Sequence, residues 1–169
     1  MERAGVTLVA PNGWRSADRT KWSVPGTPLA AWSGPGGASL VVYWTLPAPG
    51  VKSSDLVVGL ANRLENMPGL RVLSKRTETV AGLEAGWVEA VAPGTGDAFA
   101  PSGTGTPFVG KGVELKPTRR VSVTIPRAAD TLTLVWHAPE SDSGTLEASV
   151  RETLSALKVD QGRLATNTY

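Results

Sequence analysis

Residues 70–80 and 83–91 both read as long β-strands, and only Ala81 and Gly82 separate them. A link of two residues joins antiparallel neighbours, whereas a parallel return needs a dozen residues or more. Short links recur along the chain. Residues 6–10 read as a strand stopped by the turn cluster Pro11-Asn12-Gly13. Residues 21–24 and 29–33 read as two short strands divided by Pro25-Gly26, and Gly34-Pro35-Gly36-Gly37 forms a hairpin turn into residues 39–46. That last run is apolar on both alternating faces, which predicts a central strand covered on both sides. Further on, Val121, Val123 and Ile125 alternate with Arg120, Ser122 and Thr124. After Arg127 to Asp130, residues 131–137 place Leu132, Leu134 and Trp136 together on one side.

Helical spacing occurs twice. Leu56, Val57, Leu60, Ala61, Leu64 and Met67 form one stripe, with Ser53 as N-cap, Asp55 in the first turn and Pro68-Gly69 as the stop. Residues 143–157 carry Leu146, Val150, Leu154 and Leu157 inward, with Glu147 and Arg151 as an exposed i,i+4 pair. Each helix needs an apolar surface to lie on. Together with the two-faced strand 39–46, this predicts an α+β fold: a mainly antiparallel sheet flanked by helices on both faces, an α/β/α sandwich.

The order of these pieces resembles the PsbP/Mog1-like superfamily. The matching residues are Pro11-x-Gly13-Trp14 after the first strand, the helix that Ser53 opens, and Val80-x-Gly82-Leu83-x-Ala85 at the long hairpin. The strand 132–137 running through Ala138-Pro139 and a closing helix ending in Ser155-Ala156-Leu157 complete the series. The likeness covers residues 5–159, leaving 1–4 as an N-terminal extension and 160–169 as a flexible tail. It implies a scaffold shared more than an activity, since members of this family are mostly non-catalytic assembly factors, partner-binding proteins and domains of exported or membrane-anchored lipoproteins. No catalytic motif carries over, and the acidic residues with which Mog1 contacts its GTPase find no match here. Residues 92–118, rich in Gly, Pro, Thr and Ser, depart from the simplest family pattern as a long loop insertion.

Composition narrows the chemistry. With 17 basic and 15 acidic residues scattered along 169 positions, the net charge is only +2, which disfavours nucleic-acid binding through phosphate neutralisation. Cysteine is absent, removing disulfides, thiolate metal sites and Cys nucleophiles from this stretch. No apolar run is long enough for a membrane span, and no signal peptide opens the chain. The start Met1-Glu2-Arg3 is compatible with a native N-terminus and with a junction left by a trimmed export signal.

The remaining motifs point away from an enzyme. Gly105 to Gly112 approaches a phosphate-binding loop, but Gly112 stands where a Ser or Thr would ligate magnesium, and no helix follows. His137 is the single histidine, too little for zinc without Cys, and reads as the cap of a strand end near Pro139. Glu84 and Glu89 fall on opposite strand faces and form no acid/base pair. Of the six tryptophans, Trp14, Trp87 and Trp136 sit at core positions. Trp22, Trp32 and Trp44 read as partly buried with a wet indole nitrogen, or alternatively as aromatic contacts beside Arg15, Arg19 or Lys21.

The candidate partner surface is Lys111, Lys116, Arg119 and Arg120 with Trp32. These readings converge on a non-catalytic domain that binds a protein partner at the cell envelope, without cofactor or metal. The alternatives are a small-ligand or lipid-headgroup binding domain with a pocket under loop 92–118, and thirdly an uncharacterised enzyme. The expected location is extracytoplasmic or envelope-associated if a signal or anchor preceded this stretch, and otherwise cytoplasmic. Partner identity and oligomeric state leave no trace in the residues.

Overall fold

The computed structural model describes residues 2–3, 5–22, 24–46, 50–92, 117–128 and 130–160. In chain order the elements are β1 (Glu2–Arg3), β2 (Val6–Thr7), β3 (Arg15–Ser16), β4 (Thr27–Ser33), β5 (Ser39–Thr45), α1 (Ser53–Glu65), β6 (Arg71–Val80) and β7 (Leu83–Ala92). They continue as β8 (Thr118–Pro126), β9 (Thr131–Pro139), α2 (Ser143–Ala156) and β10 (Lys158–Val159). Seven strands form one sheet in the order β3-β4-β5-β9-β8-β7-β6, and each neighbouring pair is antiparallel. A small second sheet, β1-β2-β10, brings Glu2–Arg3 and Lys158–Val159 to either side of Val6–Thr7.

The short links do what their length requires. Ala81 and Gly82 have φ of +51° and +79°, the pair of left-handed residues that twists a two-residue hairpin to match its strands. The β8–β9 turn is closed by a 2.7 Å bond from the Arg127 amide to the Asp130 carbonyl. The side chains of the same two residues form a buried ion pair, with Arg127 Nε and Nη2 each 2.5 Å from an Asp130 carboxylate oxygen.

Alternation along the strands divides the interior. Leu40, Val42, Val123, Leu134 and Trp136 meet Leu146 and Val150 of α2 on one face. Val88 and Ala90 meet Val57, Ala61 and Leu64 of α1 on the other. Ala31, Val41, Tyr43 and Val135 form a third cluster, with Ala17, Trp22 and Val24 against it. Strand β5 is thus covered on both sides, as its two-faced apolar pattern predicts. The α/β/α sandwich follows.

Three local expectations are corrected. Of the expected strand 21–24, the described residues Lys21, Trp22 and Val24 are not in a strand: Arg19–Lys21 is a 3₁₀ turn whose N-cap, Asp18, accepts hydrogen bonds from the Thr20 amide at 3.0 Å and the Thr20 hydroxyl at 2.7 Å. Arg15–Ser16 pairs with β4 instead. Ser53 is not the N-cap but the first helical residue, and extended Lys52 precedes it. The Ser53 hydroxyl is drawn to the sheet, donating to the Glu84 carbonyl at 2.9 Å, while Asp55 accepts from the Lys52 amide at 3.2 Å. Met67 falls beyond the helix and is 42% exposed.

Gly86 lets α1 reach the sheet. A Cβ there would lie 2.7 Å from Val57 Cγ2 and 3.1 Å from the Ser53 carbonyl. Replacing Gly86→Ala is expected to destabilise the fold by about 1–3 kcal/mol, because a well-packed contact must open. Urea unfolding measures this, and a loss under about 0.5 kcal/mol would show that α1 shifts without resistance.

Candidate functional site

Seven strands at about 4.8 Å spacing make a sheet about 29 Å wide, while a helix with its side chains is about 10 Å across. One helix per face therefore leaves part of each face uncovered. Helix α1 lies over β6 and β7 with the edge of β8, and α2 lies over β9 on the opposite face. The offset leaves a groove beside each helix.

The larger groove, about 490 Å³, runs between α2 and the β6-β7-β8 end of the sheet. Trp87 and Val121 contribute from the strands, and Leu146, Val150 and Leu154 from the helix. Three ion pairs edge it: Arg76 with Glu78 at 3.1 Å, Arg119 with Glu89, and Arg151 with Glu147 at 2.5 Å. The Arg76 guanidinium sits 4.2 Å from the centre of the Trp87 ring, a cation–π contact. Register explains the grouping, because Arg76↔Trp87 and Ser74↔Glu89 are cross-strand partners on one face. Glu89, only 9% exposed, also accepts from the Ser74 hydroxyl at 3.3 Å. Among the described residues the buried Trp87 Nε1 donor has no hydrogen-bond acceptor. Hydrogen bonding to Arg151, then its charge, lowers the Glu147 carboxyl pKa.

The opposite face of β5, β9 and β8 is polar. Ser39, Tyr43, Ser122, Thr124, Thr131 and Thr133 are all buried there. Tyr43↔Thr133↔Thr124 are neighbours across three strands, and Thr45↔Thr131 form the next row. Burial raises the Tyr43 phenol pKa, opposed by the charge of Arg120, a hydrogen bond with Thr133 and the charge of Arg63. Burial also lowers the Arg120 guanidinium pKa; Tyr43 opposes that shift and Arg63 reinforces it. Arg120 Nε donates to the Ser122 hydroxyl at 2.9 Å. His137 does not cap the strand but lies inside β9, which runs on to Pro139; its Nδ1 is 3.5 Å from the Ser39 hydroxyl and its Nε2 is shielded. Burial, then the Arg120 charge, pushes its pKa down to about 3.

Of the expected partner surface, the described residues Arg119, Arg120 and Trp32 do not share one patch. Arg119 and Arg120 leave opposite faces of β8, since successive strand residues alternate: Arg119 joins the α2-side groove and Arg120 the polar row. Trp32 is 8% exposed and packs in the main core, because its pairing with Leu40 turns it to the α2 face. Trp22 and Trp44 are partly buried against apolar clusters. Lys111, Lys116, the phosphate-loop-like run and the pocket expected under loop 92–118 lie outside the described residues. Among the described residues no three metal-ligating side chains come together, and no helix is long and apolar enough to cross a membrane. The sequence reading did not single out Arg76, Glu78, Tyr43 or Arg63. Strand parity can sort the strand residues by face, but only register brings them side by side.

His137 sets a pH dependence. Between the ordinary pKa of 6.5 and about 3, the unfolded chain binds a proton at His137 that the folded chain excludes. The resulting stabilisation is present above pH 6.5 and is lost as the pH falls through that window. Unfolding free energies between about pH 6 and pH 4 are expected to fall less steeply in His137→Gln, by up to about 1.4 kcal/mol per pH unit. Parallel slopes would show that His137 is protonated in the folded chain.

Comparison with known proteins finds likeness in structure only. No protein-family profile matches the sequence, and no curated protein does. LpqN, involved in cell envelope biogenesis of Mycobacterium tuberculosis, superposes with a TM-score of 0.60 at 14% identity, over 91% of this chain and 82% of that one. Cyanobacterial PsbP from Synechocystis sp. PCC 6803 superposes with a TM-score of 0.58 at 10% identity, over 94% and 95%. A protein of unknown function from Pseudomonas aeruginosa gives 0.51 at 15% identity, over 88% and 93%. The expected scaffold is present: the chain has the PsbP-like fold.

Proposed function

We propose that this chain is a non-catalytic binding domain that engages a protein partner at the cell envelope through the groove beside α2. It forms a single domain over residues 5–159, with 92–118 as an insertion and 160–169 as a tail. The observation that carries the reading is the groove itself. It combines an aromatic and aliphatic lining with three paired charges at its edge, the mixture of apolar centre and polar rim that protein interfaces use. The envelope setting draws support from LpqN, which shares the fold and is involved in cell envelope biogenesis. A fold hosts many functions, so the argument rests on the groove and takes only the setting from the likeness.

Capture by the intact chain and by two variants tests the proposal. Arg151→Glu reverses a charge on the exposed helix side of the groove, where its side chain is 78% exposed, and is expected to leave folding intact while weakening capture by about tenfold or more. Deleting residues 94–116 should leave the same partners bound. Undiminished capture by Arg151→Glu, or loss of all partners on deletion, would move the interface away from the groove.

A further inference from the structure

The second groove, on the opposite face, has a lining of different chemistry. It is a cleft of about 260 Å³ between α1 and strands β5, β8 and β9. The sheet side is lined with hydroxyls: Tyr43, Thr124 and Thr133 in one row and Thr45 with Thr131 in the next. Across from them Arg63 projects from the last turn of α1. Among the described residues Arg63 belongs to none of the ion pairs. Asp55 lines the same cleft, but it lies eight residues away on the helix, about 12 Å along the axis, and its carboxylate is engaged by the Lys52 amide.

Gly59 is the second observation. It stands in the interior of α1, where glycine weakens a helix relative to alanine, and it lines the cleft. No packing requires it, because a Cβ there would meet nothing within 4 Å. The helix wall is open at this point.

We infer that this cleft binds a small oxyanion-bearing molecule, a carboxylate or a phosphate monoester, with Arg63 as its cation and the hydroxyls of Tyr43, Thr124 and Thr133 as its hydrogen-bonding groups. A guanidinium presents a fork of donors matched to either oxyanion, and hydroxyl groups both donate and accept, so they suit the polar body of the same molecule. Gly59 leaves room for that body against the helix. The Arg120 guanidinium, on the same face of the sheet and close enough to influence Tyr43 and Arg63 electrostatically, adds positive potential beside the hydroxyl row. This site does not depend on the α2-side groove and stands or falls separately.

Thermal melts of the intact chain in inorganic phosphate, acetate and chloride at equal pH and ionic strength test the inference, with phosphate titrations followed by amide NMR. Phosphate or acetate is expected to raise Tm above the chloride value in a saturating manner and to shift the amides of Arg63, Thr124 and Thr133. Arg63→Gln is expected to weaken the response about tenfold, and Gly59→Leu, which keeps a good helix former, to fold and lose it. A response to phosphate alone identifies the ligand group as phosphate, and a response to acetate identifies a carboxylate. An equal rise in all three proteins is the general effect of an excluded ion and overturns the site, as does an unchanged response in Arg63→Gln.

Discussion

The rest of this structure depends on covering a wide sheet from both sides with too little helix. A seven-stranded sheet must bury apolar side chains on both faces, yet the described residues supply one α-helix to each. Placed over the same strands, the two helices would leave the rest of the sheet bare on both sides. Offset, with α1 over β6 and β7 and α2 over β9, they spread the cover so that strands lacking one helix lie beneath the other. The third apolar cluster, where Trp22 and Val24 meet Val41 and Tyr43, supplies further cover on the α1 side. The grooves are what remains.

Each groove takes its character from what the neighbouring strands place in it. On the α2 side, Glu89 is almost fully buried, and an ionised carboxylate there requires donors; Arg119 and Ser74 supply them. Arg76, laid over Trp87, brings charge and apolar surface together at one spot. On the α1 side the strands carry hydroxyls where aliphatic side chains would otherwise complete the core, and cations stand beside them. One residue step along β8, from Arg119 to Arg120, separates these two environments.

A scaffold of this kind fixes positions more than chemistry. Its hairpins hold the registers that align Arg76 with Trp87 and Tyr43 with Thr133. Those alignments set which side chains line the two grooves. Gly86 and the Ser53 hydroxyl hold α1 close to β7, so the walls of the α1-side cleft are set by the same contacts that stabilise the fold.

Much of the architecture was legible in the residues. The two-residue link Ala81-Gly82, the alternation around Val121 and Leu132, the helical stripes apart from Met67, and the core positions of Trp87 and Trp136 all follow from local periodicity and turn geometry. Local expectations failed where another hydrogen-bonding partner competed. Ser53 turned from capping its helix to bind Glu84, and Asp18 drew Arg19–Lys21 into a turn. Trp32 entered the core because β4 and β5 pair as they do. The sites were hidden for the same reason. Parity tells which residues share a strand face, but strand order and helix placement decide which faces become neighbours. Sequence therefore determined the layers and their hairpins, while only the tertiary structure decided where the helices stop covering the sheet, and with that the two grooves and the residues lining them.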